Sequence, residues 1–132
     1  YATSPMGADH SAGLTISYPG DHTSKTGQVE NSEDRQIIVA ACDSLMCLLG
    51  LGGALPFLPD LLAGMYGGEW DKSRIMEIGL ETIKRELAWN KAAGFTEKDN
   101  ELPDFFYTEK SPATGASFDI TPGEYASMFQ QQ

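Results

Sequence analysis

The apolar positions of this chain come in groups, and Gly and Pro separate the groups. Residues 1–31 hold Gly, Pro, Ser, Thr and Asp with no sustained period of two or of about 3.6, and they read as loop. The pattern changes at Ser32. Asn31 or Ser32 can cap a helix, and Glu33 and Asp34 suit the positive end of its dipole. Ile37, Ile38, Val39, Ala40, Ala41, Leu45, Met46, Leu48 and Leu49 then fall on nearly every face, which predicts a helix buried all round. Gly50, Gly52 and Gly53 stop it. Pro56 and Pro59 frame a turn, and a short helix is predicted from about Leu58 to Tyr66, ended by Gly67-Gly68.

The clearest helix is predicted from about Lys72 to Ala93, capped by Asp71 or Ser73. Met76, Leu80, Ile83 and Leu87 recur at spacings of four, three and four, one continuous stripe. Gly79 lies beside that stripe. A Gly inside a helix costs about 1 kcal/mol against Ala, so close approach of another backbone would account for it. Gly94 suits the position just past the helix end. Residues 95–121 return to loop, and a last short helix is predicted from Pro122 to Phe129. No segment alternates as a strand does, and there is no internal repeat. The expected class is mainly α: one irregular helical domain with long loops over residues 1–132, divided into a loop region at 1–31 and helices with connecting loops at 32–132.

Composition narrows the partners. Nine basic residues against nineteen acidic ones give a net charge of −10. A phosphate-backbone binder needs clustered Lys and Arg, as does a protein that docks on anionic lipid, so neither nucleic acid nor membrane is an expected partner. The longest apolar run, Ile37 to Leu51, is broken by Asp43 and Ser44 and falls short of the about 20 residues that span a bilayer. Cys42 and Cys47 sit five apart; on one helix that turns their side chains about 140° from each other. They read as thiols of a reducing compartment rather than a disulfide pair. The residues show no basic n-region or cleavage site of a signal peptide, and a cytoplasmic location is expected. Tyr1 opens the chain abruptly, in a polar segment that buries little, which reads as the interior of a longer protein.

Three residues stand out chemically. Asp43 interrupts an apolar helix, where a carboxylate costs several kcal/mol unless it is paired or hydrogen-bonded. It reads either as a turn facing water or a neighbouring loop, or as a carboxylate aimed at a buried polar cofactor. Cys47 lies at i+4 from Asp43, on the same helix face. It is a small buried hydrophobe or a metal ligand. An iron–sulfur cluster takes four thiolates, so two Cys alone cannot hold one. His10, in the opening loop, can act as an acid or base near neutral pH or remain a solvated loop residue. No H-E-x-x-H, P-loop, G-x-S-x-G or dinucleotide fingerprint is present.

Taken in order, four stretches resemble the C-terminal part of the tungsten-containing aldehyde:ferredoxin oxidoreductase family. The opening YATSPMGADH, Tyr1 to His10, is similar to the family's Y-A-T-S-P-x-G-A-x-H loop. DSLMC, Asp43 to Cys47, resembles its D-x-x-G-L-C helix motif, and LPDLLAGMYG, Leu58 to Gly67, the segment that follows. The helix from Ile78 and its exit, WNKAAGFT (Trp89 to Thr96) and KDNELP (Lys98 to Pro103), resemble the family's G-E-R-x-x-x-x-x-R-A-F-N-x-R-x-G-F-T-R-x-D-D-x-L-P without a gap from Gly79.

The resemblance implies a place in a larger multidomain enzyme that oxidises small aldehydes to carboxylic acids and passes the electrons to ferredoxin. The implied cofactors are a tungstopterin (tungsten or molybdenum on two pterin dithiolenes) and a [4Fe–4S] cluster. Both need N-terminal parts of the protein that are absent here, including a C-x-x-C-x-x-x-C motif that would supply three of the cluster ligands. His10 matches the active-site His beside the metal, Asp43 the Asp that hydrogen-bonds a pterin, and Cys47 the fourth cluster ligand. The fragment alone is expected to be inactive, and its partners are the remaining domains, ferredoxin and the aldehyde. The sequence departs from the pattern at two places. Asp43 to Cys47 is one residue shorter than the family motif and lacks its Gly, and one residue turns a helix side chain by about 100°. Leu80-Glu81 and Leu87 stand where the family has Glu-Arg and a second Arg. Two alternatives follow: a non-catalytic helical module used for packing or partner binding, and a family reductase acting on a larger aromatic thioester.

Overall fold

The computed structural model describes residues 25–45, 55–113, 115–126 and 128, a few helical positions among them by backbone alone. In chain order the helices are α1 (Lys25–Leu45), α2 (Leu58–Tyr66), α3 (Lys72–Ala92), α4 (Phe105–Thr108) and α5 (Pro122–Ala126), with 3₁₀ turns at Leu55–Phe57 and Glu97–Asn100. The described residues contain no strand, and the class is mainly α. No described helix is long and apolar enough to cross a membrane.

The start of α1 corrects the expectation of a loop up to residue 31. The helix begins at Lys25, and Asn31 and Ser32 are buried within it rather than capping it. Ser32 Oγ instead accepts a hydrogen bond from Gln36 Nε2, one turn on, at 3.1 Å. The cause is tertiary. Val29 packs against the cluster formed by Ile37, Leu80 and Ile83, so the early turns gain a contact that local periodicity does not reveal. Burial on nearly every face is observed: Gln36, Ile37, Val39, Ala41 and Cys42 are all buried. The expected end of this helix, at the Gly50–Gly53 cluster, lies outside the described residues.

α2 has the bounds that its punctuation predicts. Pro59 sits in its first turn, where its missing N–H costs nothing. Gly67 ends it at φ 70°, a conformation that L side chains rarely adopt, with its N–H donating to the Ala63 carbonyl at 2.9 Å. Leu58 and Leu62, one turn apart, turn inward.

α3 is capped by Asp71, whose carboxylate accepts from the Arg74 N–H at 2.8 Å. It closes at Ala93, with Gly94 next. The apolar stripe is confirmed at Leu80 and Ile83, with Ile75 added, but it ends early: Leu87 is 38 % exposed. Gly79 is the close approach that its position suggested. A Cβ there would overlap the Ile37 carbonyl oxygen, and it would stand 3.0 Å from that carbonyl carbon and 3.1 Å from Ala41 Cβ. α1 and α3 therefore meet with no side chain between them at this point.

Two apolar clusters flank the contact. Ile37, Leu80, Ile83, Ile120 and Met128 form one; Ala41, Cys42, Leu58, Leu62 and Ile75 form the other. Fully burying an Ile or Leu stabilises by about 1.5–3 kcal/mol, so these residues dominate the fold. The stretch expected as loop, 95–121, contains the 3₁₀ turn and the single turn of α4. Both are local: Thr96 N–H and Oγ1 donate to Asp99 Oδ2 at 2.7 and 2.8 Å. The last helix is described over Pro122–Ala126, and its expected end at Phe129 lies outside the described residues. At its start, Thr121 N–H and Oγ1 both donate to Glu124 Oε2 at 2.7 Å.

Candidate functional site

Of the three residues singled out, His10 and Cys47 lie outside the described residues. The Asp43 backbone is helical, within α1, and its side chain is outside the described residues. The surroundings of Asp43 along the helix are well defined. Cys42, just before it, is completely buried against α2 and α3 by Leu58, Leu62 and Ile75. It behaves as a small core residue and forms no disulfide. Sealed in this way, Cys42 is a poor substitute for Cys47 as a cluster ligand.

Ser44, just after Asp43, is exposed and lies 2.9 Å from Thr82 Oγ1 on α3. Thr82 in turn donates to the Ile78 carbonyl at 2.9 Å. Either hydroxyl of this pair can donate; both bonds form at once when Ser44 donates to Thr82. The bonds link α1 at Ser44 to the backbone of α3. No sequence signal could have found this pair, since its members lie 38 residues apart. Among the described residues, no three His, Cys, Asp or Glu side chains come together as a metal site.

A second polar cluster lies at the junction of α2 and α3. The Arg74 guanidinium lies over the Trp70 ring, 3.9 Å from its centroid, and Arg74 Nη1 donates to the Glu69 carbonyl at 2.8 Å. Trp70 Nε1 donates to the Gly67 carbonyl at 3.0 Å, and the Tyr66 ring stands 6.1 Å from that of Trp70. Asp60, Ala63 and Glu77 complete the walls of a shallow open groove. The spacing of four between Trp70 and Arg74 is a readable signal of this stack. Trp70 Nε1 and Arg74 Nη1 both donate to backbone carbonyls of the α2–α3 connection, which ties the helix junction together.

The Asp99 carboxyl is held below its ordinary range. The Thr96 backbone N–H lowers it most, and the Thr96 hydroxyl adds to the effect. It is fully exposed and belongs to a turn, not to a pocket.

No curated protein and no solved structure matches the chain. A family model does: the one described as aldehyde ferredoxin oxidoreductase, domains 2 & 3, matches residues 1–131. That span takes in the opening segment with His10, the Asp43–Cys47 motif and both long helices, and the chain belongs to this family.

Proposed function

We propose that the chain is the helical part of a pterin-dependent oxidoreductase that converts aldehydes to carboxylic acids and delivers the electrons to ferredoxin. Residues 1–132 would form one helical unit of a longer cytoplasmic protein, and would close one wall of its cofactor cavity. The observation that carries this reading is the family match along residues 1–131. The donor chemistry of α1 agrees with it in part. A carboxylate at Asp43, beside the sealed Cys42, is an acceptor for N–H donors such as those of a pterin, and such charge-assisted bonds offset burial. Cluster ligation would fall to Cys47 and to Cys residues outside this chain, since Cys42 is sealed in the core.

The reaction takes an aldehyde and water to an acid, with release of two electrons and two protons. When bound, the metal pterin accepts the electron pair and the iron–sulfur cluster relays electrons singly. Within this chain, His10 would orient the carbonyl or take a proton from the attacking water at its imidazole. Asp43 would hold the pterin edge in place, and Cys47 would bind iron as thiolate.

The test is elemental analysis of the anaerobically purified full-length protein. The expected result is roughly one tungsten or molybdenum and four iron per chain, the content of one pterin-bound metal and one [4Fe–4S] cluster. Metal without iron would mean that the shortened Asp43–Cys47 motif has cost the cluster. Neither metal, from a host that makes the cofactor, would favour the non-catalytic helical module.

A further inference from the structure

We propose that the outward face of α2, around Gly64, is a docking surface for a segment of the parent polypeptide outside residues 1–132. That segment brings its backbone against Gly64 and Lys or Arg side chains beside the neighbouring acidic groove. The inference rests on the reading of the chain as part of a longer protein, and not on the chemistry proposed for that protein.

The helix is apolar on two faces. Leu58 and Leu62 are completely buried in the cluster with Ala41, Cys42 and Ile75. Leu61 and Met65 point away from that cluster and are exposed, as is Phe57 one turn before Leu61; Phe57 and Met65 keep 63 % and 62 % of their surface in water. On a regular helix Leu61, Gly64 and Met65 fall within about 100° of one another. Large apolar side chains thus surround a glycine on one open face, and an exposed apolar patch of this kind marks a contact surface.

Gly64 is a second observation. It lies inside α2, where Gly is less favourable than Ala. At Gly79 the same disadvantage has a visible reason, since α3 there meets the Ile37 backbone. At Gly64 a Cβ would meet no described atom within 4 Å. A glycine of this kind on an open apolar face fits a backbone that arrives from outside.

Charge selects the occupant. Beside this face, Asp60, Glu69, Asp71 and Glu77 line the groove, and the Arg74 guanidinium is already held by Trp70 and the Glu69 carbonyl. A second copy of the chain would bring the same carboxylates, on a chain of net charge −10. A segment with apolar side chains and a basic rim complements the surface. The family model that the chain matches describes domains 2 & 3, which leaves a further domain to supply it.

The experiment uses the full-length protein with Phe57 replaced by the photo-reactive p-benzoylphenylalanine. After illumination, the cross-linked peptide is identified by mass spectrometry. The expected product has the mass of one chain and joins position 57 to a Lys- or Arg-bearing peptide outside residues 1–132. Gly64→Ala should lower its yield about tenfold, the scale of overpacking a close contact. Asp60→Lys should lower it about threefold, the weight of an exposed ion pair. A product of twice the chain mass would overturn the proposal in favour of a second copy. A cross-link within residues 1–132, or none, would overturn it as well. So would a Gly64→Ala protein of raised thermal midpoint and unchanged yield, because no backbone would then approach α2. The expected cross-link in a protein that holds neither pterin-bound metal nor iron would uphold this surface and remove the oxidoreductase reading alone.

Discussion

Along α1, α2 and α3 the chain is held by residues far apart in sequence: Ile37 against Leu80 and Ile83, Cys42 against Leu58 and Ile75, Ser44 against Thr82. From Thr96 onward most of the bonds are local. Thr96 binds Asp99, Thr108 Oγ1 donates to the Asp104 carbonyl at 3.0 Å, Ser111 N–H donates to the Ala116 carbonyl at 2.9 Å, and Thr121 binds Glu124. Longer ties are few: the Phe118 N–H on the Phe106 carbonyl at 2.8 Å, and Ile120 and Met128 inserted into the first core cluster. The first region owes its stability to burial and close packing. The second takes its shape from turn chemistry and is tethered to the first by a few apolar anchors. A change in one region should therefore be felt very differently from a change in the other.

The sharpest break is at Gly79. A methyl group there meets the Ile37 carbonyl group and Ala41 Cβ, neither of which can swing away. Gly79→Ala should destabilise by about 3 kcal/mol, at the upper end of overpacking costs, although Ala favours a helix. A urea midpoint equal to that of the parent chain would show that α1 and α3 separate more easily than the contact implies.

Ile120→Ala tests the tether. It removes a buried side chain from the first cluster, with an expected cost of about 2 kcal/mol because the exposed stretch around it can relax. Hydrogen exchange should rise from residue 105 onward while α1 and α3 stay protected. Equal loss of protection in α1 would mean that the two regions unfold as one.

The smallest effect belongs to Asp99. Its carboxyl is held below its ordinary range by Thr96, so the folded turn favours the ionised form. The folded value is lower than the unfolded one. The contribution is therefore fully present above the ordinary carboxylate range and is lost as pH falls through the lowered folded value. Asp99→Asn should flatten the acid side of the pH profile of local exchange at Thr96 and leave global stability unchanged. An unaltered acid limb would remove the turn as its source.

Local rules made α2 and α3 legible. Pro59, Gly67 and Gly68 bracket the first, Asp71 and Gly94 the second, and each acts within a turn of the chain. The 3₁₀ turn at Glu97–Asn100 and the helix Phe105–Thr108 are not legible in the sequence, because a single turn leaves no periodic trace. α1 was misjudged at its start for the opposite reason. Its early turns are supported by Val29 packing against the first core cluster, and nothing near Lys25 announces that contact. At the candidate site the residue types were legible and their setting was not. Asp43 stands out as a carboxylate in an apolar run, but Ser44 and Thr82 are ordinary helix residues until the fold brings them together.

The sequence by itself determined the helical class, the bounds of α2, the cap of α3, the need for a close approach at Gly79, and the family. Each of these rests on neighbours within a turn or on an ordered set of motifs. Tertiary structure alone decided where α1 begins, that Leu87 leaves the core, that Cys42 is sealed, and that Thr82 reaches Ser44. These depend on which surfaces meet, and burial and cross-helix hydrogen bonds exist only once two distant segments are packed together.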